Sequence, residues 1–218
     1  LSMDQRLTMA NMAVEAGAKN GIFAPDEITR AYVGERSEKE GIYWQSDKEA
    51  QYERILKIRV DQIEPQVALP HSPDKVHPIS DVEPVRLDQV FIGSCTNGRI
   101  EDLRVAAGIL NGRSVARGTR FIVIPGSALI YKQAIQEGTM EILVNAGAVI
   151  GPPCCGPCLG GHLGVLAQGE IALSTTNRNF VGRMGHPESE VYLAGPAVGA
   201  ASAVLGRIGS PEELDQSS

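Results

Sequence analysis

The sequence predicts an α/β protein, a three-layer α/β/α arrangement around a doubly wound, mostly parallel sheet. Three observations carry this expectation. The runs VFIG (90–93), RFIVIPG (120–126), AVIG (148–151), EIALST (170–175) and VYLAG (191–195) are short and almost continuously apolar, as strands buried on both faces are. Stretches of helical period separate several of them, at 101–110, 129–138, 140–146 and 197–208. Each run also breaks into Gly, Pro, Ser or Asn at its carboxyl end, where a doubly wound sheet carries its functional loops.

The elements follow in order from local chemistry. Ser2 with Gln5 three residues on forms a capping box, and Leu7, Met9, Met12, Ala13 and Ala16 give an amphipathic helix ending near Gly17 or Gly21. A helix this close to residue 1 has no earlier layer to pack on, so the chain is expected to be part of a longer one. Residues 25–41 are charged and helical with a turn, 46–55 form a second charged helix, and ILKIRV (55–60) reads as a strand. Five prolines between Pro65 and Pro84 mark a connection, with a boundary near 84. This gives a first domain over 1–84 and a second over 85–218.

Composition narrows the function. The 218 residues are 43% hydrophobic with a net charge of −6, and no basic run offers a nucleic-acid surface. No apolar stretch is long enough to span a membrane. Two of the four cysteines are adjacent, Cys154 and Cys155, which suits a reduced, cytoplasmic setting better than a disulfide scaffold.

Chemistry concentrates at strand ends. Cys95, in FIGSCTNGR, lies between a strand and a helix expected from about Ile100, where backbone N–H groups and the helix dipole favour a thiolate ligand. Cys155 and Cys158 form a CxxC turn. Alone, that turn is shared by zinc, redox and iron–sulfur sites, or is simply a buried turn of small side chains. Cys154 and His162 could formally complete a zinc set. With Cys95 as a third thiolate, the pattern suits a metal centre that keeps one position open for substrate. Downstream, STTNRNFVGR puts Asn177, Arg178 and Arg183 behind another strand, and two guanidiniums there could grip two carboxylates in bidentate fashion. Asn11 and Glu15, four apart, share a helical face and by spacing alone are surface residues. His71, His77 and His186 read as solvated or structural, and Trp44 as a packing residue.

Taken together, GSCTNGR, CCGPC and NRNFVGR, with NMAVE near the start, resemble the aconitase family. The match runs from SMDQRLTMANMAVEAGAK to VYLAGPAVGAASAVLGRI and looks most like the large subunits of the family's two-subunit dehydratases. The resemblance implies a 4Fe–4S cluster held by Cys95, Cys155 and Cys158, with one iron lacking a protein ligand and Cys154 without a role. It implies substrate binding by Arg178 and Arg183, with Asn177 near the cluster, and catalytic roles for Asn11 and Glu15. Ala10 stands where the family often has a cysteine that is not a ligand. The implied reaction is dehydration and rehydration of a small di- or tricarboxylic acid: 2-isopropylmalate to 3-isopropylmalate in leucine synthesis, or homoaconitate in lysine synthesis. A non-catalytic iron–sulfur or zinc-binding module is the remaining alternative. The implied partner is a small swivelling-domain subunit, in a heterodimer or heterotetramer. The family's upstream Asp–His pair is absent from these residues, so the chain alone is expected to be inactive.

Overall fold

The protein is described by a computed structural model covering residues 1–215. It divides into two compact units that meet in sequence between Ile63 and Glu64. The connection expected over 65–84 therefore belongs with the second unit, and the division falls about twenty residues before the expected boundary at 84. The last three residues of the expected second domain lie outside the described residues.

In the first unit, helix α1 spans Met3–Met12 and opens on the expected capping box: Ser2 Oγ accepts from the Gln5 amide at 3.2 Å, and Gln5 Oε1 accepts from the Ser2 amide at 3.0 Å. A 3₁₀ turn at Ala13–Ala16 follows, and Gly17 closes it in the left-handed conformation. The buried residue of α1 is Arg6, where an apolar residue was expected. Its guanidinium makes a bidentate pair with Asp26 at 2.7 and 2.8 Å. Asp26 is also the N-cap of helix α2, Glu27–Gly34, accepting from the Thr29 amide at 3.0 Å.

This arrangement holds the Asp26 carboxyl well below the usual carboxylate range, first through the Arg6 hydrogen bond and then through Thr29. A depressed folded-state pKa stabilises the fold above the unfolded value, about 3.9, and that contribution fades as pH falls through the folded value. Asp26→Asn should therefore lower the urea midpoint of this unit at pH 7 and narrow its difference from wild type below about pH 3. Denaturant melts at both pH values check it.

The charged helix expected at 46–55 and the strand expected at 55–60 do not form; the nearest regular element is a 3₁₀ turn at Val60–Gln62. Ile55, Leu56 and Ile58 are each at least 66% exposed, so neither pattern has a partner surface among the described residues, and a lone helix or strand of that length is marginal in water. Trp44, expected to pack, is 81% exposed.

The second unit is built on a seven-stranded sheet. Strands β1 (Gln66–Ala68) and β2 (Val76–Pro78) come from the proline-rich stretch and pair antiparallel. Then follow β3 (Gln89–Gly93), the single turn α3 (Ser94–Asn97), α4 (Ile100–Leu110), β4 (Arg120–Ile124), α5 (Ala128–Gln136), α6 (Thr139–Asn145), β5 (Val149–Ile150), β6 (Ile171–Ser174), β7 (Glu190–Ala194), α7 (Pro196–Leu205) and α8 (Glu212–Asp215). The order across the sheet is β2-β1-β7-β6-β3-β4-β5, and all neighbours from β7 to β5 are parallel. The mostly parallel, doubly wound α/β class is thus the one expected.

Alternate strand residues point into two separate cores. Val90, Ile92, Phe121, Val123, Leu173 and Tyr192 pack with Leu103, Ala106, Leu143, Val198 and Ala203 of the helices. Phe91, Ile122, Ile124, Ala172, Val191 and Leu193 pack with Cys158, Leu166 and Met184. These last three lie on the crossovers from β5 to β6 and from β6 to β7, which carry no α-helix. The second outer layer therefore differs from the expected helical one. Its place is taken by the two crossovers that bear the CxxC turn and the arginines.

Candidate metal centre

The chain runs from β3 outward to β4 and β5, then returns to β6 on the other side of β3. Because these strands are parallel, their carboxyl ends lie at one edge, and the reversal of direction opens a crevice between the loops after β3 and β6. Cys95 follows β3, Cys155 and Cys158 follow β5, and Asn177, Arg178 and Arg183 follow β6. The sequence-predicted groups of this unit are gathered there by topology.

Two glycines let the cysteine loops approach. Gly93 has φ +153°, and a Cβ on it would stand 2.4 Å from the carbonyl oxygen of Ile124. Gly156 has φ +53°, and its Cβ would stand 2.2 Å from Cδ1 of the same Ile124. Both loops thus pack on the end of β4. After Gly93 the chain turns through Ser94 at φ +70°, whose hydroxyl accepts from the Thr96 amide at 3.3 Å, and this presents Cys95 on α3. Thr175, at the end of β6, ties that turn down: its hydroxyl accepts from the Gly93 amide at 3.1 Å and its carbonyl from Asn97 Nδ2 at 2.8 Å. The CxxC turn is a 3₁₀ turn at Gly156–Leu159 in which the Cys158 amide donates to the Cys155 carbonyl at 3.1 Å.

Cys95 and Cys155 are exposed and Cys158 is buried. Burial pushes the Cys158 thiol up, Arg183 draws it back through a hydrogen bond and its charge, and the nearby Cys95 and Cys155 add to the rise. Because both cysteine loops pack on Ile124, the three cysteines share one neighbourhood. Alkylation of the reduced, metal-free protein at pH 7.5 should reach Cys95, Cys154 and Cys155 well before Cys158; peptide mapping over time checks the order.

The loop after β6 is equally fixed. Asn179 Nδ2 donates to the carbonyls of Leu69 at 2.8 Å and Val191 at 3.0 Å, and the Arg183 amide donates to the Phe180 carbonyl at 2.9 Å. Asn177 is buried and Arg178 partly buried. Asn11 and Glu15 belong to the first unit, in the last turn of α1 and in the 3₁₀ turn after it, so they do not share one continuous α-helix face as expected.

The donor set suits a polynuclear centre. Among the described residues no three His, Cys, Asp or Glu groups converge on a single ion. Tetrahedral thiolates about 2.3 Å from one zinc would bring their sulfurs within roughly 4 Å of each other, whereas cluster cysteines each bind a different iron and stand wider apart. Cys154 Sγ lies 3.8 Å from His162 Nδ1, both exposed, so this pair faces itself at the rim. Three buried side-chain atoms among the described residues have no hydrogen-bond partner: Arg99 Nε, Asn179 Oδ1 and Arg183 Nε. All three belong to the GSCTNGR and NRNFVGR loops, which is where a bound group would satisfy them.

Residues 1–206 match the aconitase family (aconitate hydratase). The chain belongs to the aconitase family. Within this family it is 60% identical over 215 residues to a 3-isopropylmalate dehydratase large subunit of Heliobacterium modesticaldum, covering 99% of this chain and 51% of that protein. It is 62% identical over 214 residues to the protein so named in Desulfitobacterium hafniense, covering 98% and 51%. For 3-isopropylmalate dehydratase large subunit 1 of Pyrococcus abyssi the identity is 61% over 216 residues, covering 98% and 51%. The chain spans about half the length of these relatives. No helix among its described residues is long and apolar enough to cross a membrane.

Sequence reasoning missed Arg99, Thr175 and Asn179. Arg99 was detectable: it is the N-cap of α4, a position that favours Ser, Thr, Asp or Asn. Thr175 and Asn179 act through main-chain hydrogen bonds to distant segments, which no local pattern announces.

Proposed function

We propose that this chain is the cluster-bearing part of a 3-isopropylmalate dehydratase large subunit. The observation that carries the reading is the meeting of Cys95 with the Cys155–Cys158 turn at the sheet's switch point, beside Arg183. Cys95, Cys155 and Cys158 would hold a 4Fe–4S cluster. When bound, such a cluster supplies a Lewis-acidic iron with an open position, which assists loss of hydroxide from the substrate without net redox change. Arg178 and Arg183 bind and orient the two carboxylates of 2-isopropylmalate, with Asn177 positioning nearby. Burial of Cys158 and Asn177 keeps water from the inner wall of the crevice. For Asn11 and Glu15, which belong to the first unit, the reading keeps the catalytic roles their NMAVE motif implies. The relatives' shared name favours isopropylmalate over homoaconitate, and the words large subunit in that name point to a small-subunit partner.

Anaerobic reconstitution with iron and sulfide tests this. Loading should give broad absorption near 400 nm with about four irons and four sulfides per chain. The chain alone should not turn over 2-isopropylmalate; a full-length large subunit containing it, with its small subunit, should. Zinc uptake without iron and sulfide would overturn the cluster, and turnover of homoaconitate in preference to isopropylmalate would overturn the substrate.

A further inference from the structure

Arg99 stands out once the cysteine turn is described. Its Nη2 donates to the carbonyl of Cys95 at 3.1 Å, and its Nε is buried without a partner. The N-cap position it occupies gains nothing from an arginine, because a guanidinium has no acceptor for the helix amides. The reciprocal half of the cap is made by Asp102, whose Oδ2 accepts from the Arg99 amide at 2.9 Å. The side chain is thereby left for another use.

A buried, unsatisfied donor costs about 1–3 kcal/mol, more when it is charged, so such atoms are rare and rarely accidental. Here they are not scattered. The second orphaned donor is Arg183 Nε, in the loop that faces the crevice from the β6 side, where the orphaned acceptor Asn179 Oδ1 also lies. Arg183 hydrogen-bonds Cys158, and Arg99 hydrogen-bonds the main chain of Cys95. Arg99 thus bonds the main chain of one proposed ligand cysteine and Arg183 draws on the thiol of another, and each arginine has an orphaned Nε–H. Thiolates and inorganic sulfides are negative and accept N–H donors, and a guanidinium stays charged at any working pH.

We propose that Arg99 is a positioning residue for the cluster, holding Cys95 by its carbonyl and presenting its Nε–H to the inorganic core. The proposal rests on the cluster reading above. Loss of such an outer donor typically weakens metal binding by about 10–100-fold. Arg99→Gln should load the cluster, lose iron to a chelator at least about tenfold faster than wild type, and shift the cluster's midpoint potential to a lower value, with an unchanged far-ultraviolet spectrum. Arg99→Lys keeps the charge but lacks the rigid planar fork that aims one N–H at the Cys95 carbonyl and another at the core, so its iron loss should stay closer to Arg99→Gln than to wild type. If Arg99→Gln fails to fold, Arg99→Lys carries the comparison. Wild-type iron loss and potential in whichever variant folds would overturn the role of Arg99 while leaving the cluster in place. A wild-type chain that takes up no iron and sulfide would overturn the cluster reading and this inference with it.

Discussion

Cys158→Ser is expected to give a folded protein that holds almost no iron after anaerobic reconstitution. Serine is close in volume to cysteine, and the hydroxyl can accept the hydrogen bond that Arg183 gives the thiol, so the fold should lose only about 1 kcal/mol. A hydroxyl, by contrast, does not replace a thiolate as an iron ligand, and Cys158 is buried while Cys154 is exposed beside His162. Cys154→Ser is the control: it should load iron and sulfide as wild type does. Iron and sulfide assays with visible spectra check both. Retained iron in Cys158→Ser, or its loss in Cys154→Ser, would reassign the ligand set.

The second large effect is on the fold itself. Gly93 sits at φ +153° and ψ −151°, a region essentially restricted to glycine, and it pairs in register with Ile124. An added Cβ would meet the Ile124 carbonyl oxygen at 2.4 Å and its amide nitrogen at 3.0 Å. Those are main-chain atoms of a central strand, so neither can move without breaking the β3–β4 ladder. Gly93→Ala should destabilise the second unit by about 3 kcal/mol or more, lowering its melting temperature by roughly 6–12 °C. It should also displace Cys95, so iron uptake falls even where the protein still folds. A melting curve within about 2 °C of wild type would mean the turn is far more pliant than its contacts suggest.

Legibility in the sequence followed the supply of partners. The strands at 89–93, 120–124, 171–174 and 190–194 match the expected runs closely, because each is buried on both faces and its apolar continuity is a local record of that burial. ILKIRV has the same local character and forms no strand, since no strand among the described residues lies beside it to take up its hydrogen bonds. Arg6 shows the converse case. It sits where an apolar face was expected and is buried because Asp26, twenty residues on, satisfies it.

By itself the sequence determined the succession of the longer strands and helices from β3 to α7, the three thiols and the arginine pair, because residue type and spacing encode both periodicity and ligand chemistry. Only the tertiary structure decided that Cys95 and the CxxC turn share Ile124 as a floor, that the outer layer carrying them is built of loops, and that Arg99 and Arg183 each reach a cysteine. Those are contacts between segments dozens of residues apart, fixed by parallel strand order and close packing, and neither leaves a trace in local pattern.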